Sequence, residues 1–196
     1  PTGDYKAYRG GHLLAYDMKT KTFEDLGIGP HNEGIITMNM DVSRGLIYGL
    51  SWPTGYLFRY DVARKELKDL GPAMGKGEDG MAEDFRVVCR SLAIDPDIGT
   101  VYFTNAEGQI KCLKSGQDVV ETIEGEDMRK DYFGTYDIFT SGSMAYNWRQ
   151  VFWYPPEKKI YGVHGNSGYL FRFDPAVPRL EVLERLASVP SKLTGM

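Results

Sequence analysis

One eleven-residue string occurs twice in this chain, and that recurrence limits its fold more than any other feature. Ser51-Trp-Pro-Thr-Gly-Tyr-Leu-Phe-Arg-Tyr-Asp61 aligns without a gap on His164-Gly-Asn-Ser-Gly-Tyr-Leu-Phe-Arg-Phe-Asp174, with Gly, Tyr, Leu, Phe, Arg and Asp at matched positions. A weaker copy is Gly11-His-Leu-Leu-Ala-Tyr-Asp17, and a degenerate one is Gly108-Gln-Ile-Lys-Cys-Leu-Lys114. Their last residues stand 44 (17 to 61), 53 (61 to 114) and 60 (114 to 174) positions apart. Unequal spacing of similar units puts insertions in the loops between them. Self-similarity of this kind signals a repeat architecture, in which each unit buries its apolar face on the next.

The unit around Tyr56 divides into four short strands, 34–40, 46–50, 56–60 and 66–70, separated by Gly, Pro and Asp turns. The next unit gives 90–94, 100–104, 109–113 and 118–123, and the last gives 149–153, 159–163, 169–173 and 180–186. The first has only its final two strands, 12–16 and 22–26. Strands of about five residues joined by such turns are hairpin chemistry, and 23 Gly, 10 Pro, 13 Tyr, 9 Phe and 3 Trp suit it. Four-stranded meanders recurring at about 40 to 45 residues mark the blades of a β-propeller. The expected fold class is therefore all-β, in one partial propeller domain over 1–196. It comprises a half blade (1–32) and blades at 33–87, 88–140 and 141–196. Within the repeat, Tyr16, Tyr60 and Phe173 are expected to fill space between blades. Asp17, Asp61 and Asp174 are expected to cap the following turn through the backbone.

At these residues the chain resembles the bacterial propellers of the YVTN and streptogramin-lyase-like superfamily, whose third strands carry a similar Gly-x-Leu-x-x-Tyr-Asp pattern. The resemblance spans nearly the whole chain. It implies blade architecture rather than one activity, since propellers host binding modules, scaffolds and enzymes on one frame. Three and a half blades fall short of the roughly 4 to 8 of a closed ring. Either the sequence is a fragment of a longer protein, or two copies complete a seven-bladed ring. The fragment is the expected case, because open sheet faces expose apolar surface.

The resemblance also implies that the connections entering each innermost strand, and those between second and third strands, share one face around the channel mouth. The long connections 71–88 and 125–148 fall in that class, and irregular segments beyond about 12 to 15 residues are usually functional or disordered. Anchored on Tyr48, Tyr102 and Tyr161, the residue twelve positions earlier is Ile36, Arg90 and Arg149. Two arginines thus enter the mouth from neighbouring blades. An arginine's planar fork matches the two oxygens of a carboxylate or phosphate. His31, Glu33, Trp52, Asn105, Trp148 and Asn166 complete the candidate ligand-binding set. His164 and Tyr146 are the candidate proton-transfer groups, should the site be that of a uronate lyase. Against this stand structural readings. Arg90 is also placed to pair with Glu83 or Asp84, and Arg149 with Asp137. His164 is placed to bond the backbone of its turn, and the tryptophans to pack.

The chemistry that is missing narrows the choice. Three histidines at 12, 31 and 164 and two cysteines make no metal-ligand spacing, no phosphate-binding Gly motif is present, and no cofactor is expected. Cys89 and Cys112 fall two strands apart in one blade, beyond disulfide reach, and are expected to be free and buried. A net charge of −4 argues against a nucleic-acid partner, and no run of about 20 apolar residues spans a bilayer. The expected function is ligand binding by a propeller segment of a larger bacterial protein, exported to the periplasm or beyond. The ligand is a carbohydrate or another small anion. A polysaccharide or uronate lyase and a protein-interaction scaffold are the alternatives, and the partners are the ligand and the missing blades or a second copy.

Overall fold

In three of the repeats an aspartate organises the turn after the third strand. Asp17 accepts the N–H groups of Lys19 and Thr20 (2.7 and 3.1 Å), and Asp61 those of Ala63 and Arg64 (3.0 and 2.9 Å). Asp174 accepts that of Ala176 (3.0 Å). A carboxylate bonded to its own backbone two or three residues on mimics a backbone turn, so the chain reverses where the repeat places Asp.

The computed structural model describes residues 8–75, 89–128, 147–164 and 168–186, and every regular element among them is a strand. Strands β1 (His12–Asp17) and β2 (Thr22–Ile28) form a two-stranded sheet. One four-stranded blade holds β3 (Gly34–Asp41), β4 (Leu46–Trp52), β5 (Tyr56–Asp61) and β6 (Glu66–Pro72). The next holds β7 (Ala93–Ile94), β8 (Val101–Thr104), β9 (Gln109–Leu113) and β10 (Glu121–Asp127). The last holds β11 (Trp148–Tyr154), β12 (Lys159–His164), β13 (Tyr169–Asp174) and β14 (Arg179–Arg185). All pairings are antiparallel between consecutive strands. The first strands β3, β7 and β11 lie against one another, which places them innermost. The architecture is that of three and a half propeller blades.

Strand β7 is shorter than the expected 90–94. The N–H of Arg90 turns away from its own blade and donates to the carbonyl of Trp148 in the next (3.3 Å). The Trp148 N–H answers by donating to the Thr104 hydroxyl (2.8 Å). The first residues of this inner strand therefore spend their bonds between blades.

Blades meet face to face. Tyr48 and Tyr102 hold equivalent positions and both are buried, Tyr102 stacked on Trp153 at 6.2 Å. Burial pushes the Tyr102 phenol up to about 12. Tyr60 and Phe173 are buried as expected, whereas Tyr16 is half-exposed, its ring resting on Phe23 at 4.7 Å on an uncovered face. Side chains also stitch neighbouring backbones. The Asn39 amide donates to the Leu92 carbonyl (2.9 Å), and Ser91 Oγ both donates to the Val151 carbonyl (3.2 Å) and accepts its N–H (3.0 Å). At the far end, Arg44 reaches from its hairpin turn to the carbonyls of Pro96 and Asp97 (3.2 and 2.9 Å), and Lys158 to the Asp97 carboxylate (2.8 Å).

Gly49 and Gly162 are repeat-equivalent and obligatory. A Cβ on Gly49 would stand 2.3 Å from the Phe58 ring and 2.9 Å from the Thr37 carbonyl. One on Gly162 would stand 2.5 Å from Val151 Cγ1, 2.6 Å from Phe171 and 2.9 Å from the Gln150 carbonyl. In the middle blade the cross-strand partners are Phe103 and Lys111. The ring has moved from the third strand to the second, and a lysine takes its former place.

Candidate functional site

The inter-blade bonds of Arg90 and Ser91 hold two inner strands in a register that brings Arg90 and Arg149 together. Arg90 remains exposed, yet the protein around its guanidinium and then the charge of Arg149 lower its pKa. Among the described residues no carboxylate pairs with Arg90. Arg149 is half-buried and has interactions of its own. The carboxylates weighed as partners for the pair, Glu83, Asp84 and Asp137, lie outside the described residues, as do Tyr146 and Asn166.

Beneath the arginines runs a buried polar seam. The Thr104 hydroxyl lies 3.4 Å from Asn147 Oδ1 and 3.6 Å from Cys89 Sγ, and the Cys89 thiol points at the Ser91 carbonyl (3.2 Å). The Cys89 N–H donates to Met74 Sδ (3.4 Å), and the Trp148 indole N–H to Met128 Sδ (3.2 Å). Both cysteines are free and buried, and burial pushes both thiols up. Sequence reasoning did not single out Thr104 or Asn147. One signal was available: Thr104 stands where the other blades have Leu50 and Val163, a hydroxyl in an aliphatic column.

The remaining candidates divide by exposure. Glu33 is buried and its carboxylate is spent within the fold. It accepts from Ser51 Oγ (3.0 Å), Thr54 Oγ1 (2.5 Å) and the Thr54 N–H (3.0 Å), while Ser51 Oγ takes the Tyr56 N–H (2.8 Å). It therefore braces the β4–β5 loop rather than facing a ligand. Asn105 is likewise buried, exchanging bonds with Gln109 across the β8–β9 turn (both 2.9 Å). Trp148 is wholly buried, stacked at 5.9 Å on Phe171, and offers no platform. His164 is also fully enclosed, at the end of β12. His31, on the loop before β3, and Trp52, at the end of β4, are exposed. Between the end of β6 and the β8–β9 turn opens a cleft of about 480 Å³, lined by Ala73, Glu107, Gln109 and Lys111 among others. Burial lowers the Lys111 pKa there, against the pull of Glu107 and Glu124. Among the described residues no three His, Cys, Asp or Glu side chains gather as a metal site, and no helix is long and apolar enough to cross a membrane.

No family model matches this chain, and no curated protein matches it. Solved structures do. A nidogen/laminin complex aligns at a TM-score of 0.52 and 13% identity, over 86% of this chain and 53% of that one. TolB from Acinetobacter baumannii aligns at 0.54 and 11%, over 91% and 38%, and the hydrazine synthase of Kuenenia stuttgartiensis at 0.55 and 14%, over 88% and 43%. These neighbours are propeller-like, and at such identities the likeness shows fold alone. The chain is β-propeller in architecture and spans about half or less of each of these structures.

Proposed function

We propose that this propeller segment is a binding module whose mouth recognises a small anionic ligand, an acidic sugar first among them, through Arg90 with Arg149 beside it. The observation that carries the reading is Arg90 itself. A guanidinium set near a second one, partly desolvated and without a carboxylate among the described residues, is an electrostatic cost that a bound anion removes. Arg is suited to that task because its fork gives a carboxylate two parallel hydrogen bonds. Exposed Trp52 and His31 at the same end supply an aromatic face and further donors. On this reading the 196 residues act as one domain, and the third-strand motif supports grouping it with the YVTN and streptogramin-lyase-like propellers.

Titration calorimetry with a galacturonate oligomer against its neutral galactose counterpart tests this. Binding of the acidic ligand alone is expected. Arg90→Gln is expected to weaken it by about tenfold to a hundredfold, the worth of a hydrogen bond to a charged group. Equal affinity for both sugars, or an unaffected variant, refutes the reading. A lyase at this mouth also needs a proton acceptor, and His164, fully enclosed, is poorly placed to meet a substrate. Binding is therefore the better-supported function.

A further inference from the structure

One position in the middle blade breaks the repeat. Phe58 and Phe171 lie fully buried opposite Gly49 and Gly162, but the equivalent residue of β9 is Lys111, opposite Phe103. Lysine is among the residues least often enclosed, because its charge loses water there. Lys111 is half-buried, and its ammonium donates to the Thr122 hydroxyl of β10 (2.6 Å).

Strand β10 departs from the repeat at the same place. Thr122 stands opposite Lys111 and Asp127 opposite Gln109, so residues 123–126 bow out across from Ile110 alone. In the last blade only Leu183 is extra, between Val182 opposite Phe171 and Glu184 opposite Leu170. Two clefts adjoin the detour and share Gln109. One, of about 690 Å³, is lined by Thr122 and the bowed residues. The other, of about 480 Å³, brings Lys111 together with Ala73, Val120, Asn105 and Glu107. Pockets of about 300 to 1,000 Å³ take small molecules.

The charges choose among ligands. Burial favours the neutral amine of Lys111, while the carboxylates of Glu107 and Glu124 favour a cation at that spot. A free anion meets the two carboxylates, and a free cation meets the ammonium. An uncharged carbonyl compound instead meets a nucleophile, and its adduct with the amine keeps the positive charge that the carboxylates balance. Ala73 and Val120 suit a short carbon chain, and the amides of Asn105 and Gln109 suit hydroxyl groups.

We propose that this cleft binds a small uncharged hydroxyaldehyde and that Lys111 captures it as an imine. The ammonium releases a proton to solvent, and the nitrogen lone pair forms a C–N bond as the carbonyl π pair moves to oxygen. Transfer of a proton from nitrogen to that oxygen gives a carbinolamine. With one proton from solvent its hydroxyl leaves as water, and the nitrogen lone pair completes C=N. The sum is aldehyde plus ammonium to protonated imine plus water, with no oxidant or reductant. The site shares no residue with the pair Arg90 and Arg149.

The test incubates the full chain at pH 7 with glycolaldehyde and cyanoborohydride, which reduces an imine to a stable secondary amine, and maps the labelled lysines by mass spectrometry. Exposed Lys19 and Lys21 are the internal comparison. Lys111 is expected to label about tenfold faster or more, a small part of what holding two reactants together contributes. Its labelling is expected to saturate with aldehyde concentration while theirs rises in proportion, and glyoxylate, an anionic aldehyde, is expected to show no preference for it. Val120→Phe and Ala73→Leu fill the cleft from different blades and leave the amine in place; whichever folds is expected to abolish saturation at Lys111 with Lys19 unchanged. Labelling of Lys111 no faster than Lys19 and Lys21 overturns the proposal, with or without a folded variant. Labelling without saturation, saturation that survives the filled cleft, or an equal preference with glyoxylate overturns it as well.

Discussion

Single side chains in this molecule do their work across a seam, and Ser91 is the plainest case. Its hydroxyl bridges both backbone groups of Val151 in the next blade, so Ser91→Ala leaves a buried N–H and a carbonyl without partners. The expected loss is about 1 to 3 kcal/mol, read as a lower urea midpoint with an unchanged slope. Asp41 ties a hairpin turn in the same manner. Burial works against its charge, yet the hydroxyl of Ser43 and the guanidinium and N–H of Arg44 hold its carboxyl below the ordinary 3.8. The unfolded chain therefore takes up this proton first as pH falls. The stabilisation from Asp41 is full above about pH 4 and disappears as pH drops through the lower folded value. Asp41→Ala is expected to cost about 2 kcal/mol at pH 7, and the gap between variant and parent should narrow as pH falls below the ordinary 3.8. At this scale the sequence was most misleading about burial. Glu33, Asn105, Trp148 and His164 have the residue types of a ligand site, but the repeat alignment gives only position along a strand, not what the neighbouring loop covers.

Whole strands were easier to read, because alternation and turn chemistry act locally. The third strand Gln109–Leu113 has the span its residues predict, and the others differ mainly by a residue or two at their ends. Strands β7 and β10 were the failures: β10 runs Glu121–Asp127 rather than 118–123, and the cause of the short β7 is non-local, since the partner of Arg90 belongs to another blade. The exchange of a ring between second and third strands makes a further expectation. Gly162→Ala drives a Cβ into Val151 Cγ1, Phe171 and the Gln150 carbonyl, overpacking worth about 1 to 3 kcal/mol. Pairing it with Phe171→Leu should recover part of that loss, whereas Phe171→Leu alone should only destabilise. A thermal melt of the three variants decides whether Phe171 is the obstacle.

At the scale of the molecule, charge and seams pull in different directions. The chain is acidic overall, with a net charge of −4, but the rim formed by Arg90 and Arg149 is locally basic. Ligand binding there is expected to weaken as sodium chloride rises from about 0.05 to 0.5 M, since screening shortens to a few ångströms over that range. Salt-independent affinity would place the ligand elsewhere. The hairpin turns at the far end are tied by Arg44 and Lys158, so neighbouring blades are pinned at that end as well as along their inner strands.

The buried thiol of Cys89 lies in the seam between the last two blades, its proton held toward a carbonyl and its ionisation suppressed by burial. A water-soluble disulfide reagent meets that sulfur only while the seam stands open, and in native buffer its rate of attack measures how often this happens. A ligand that bridges Arg90 and Arg149 spans the same two blades and should slow the clock. The chain thus carries its own stopwatch for the parting of its blades, set running by one atom of sulfur.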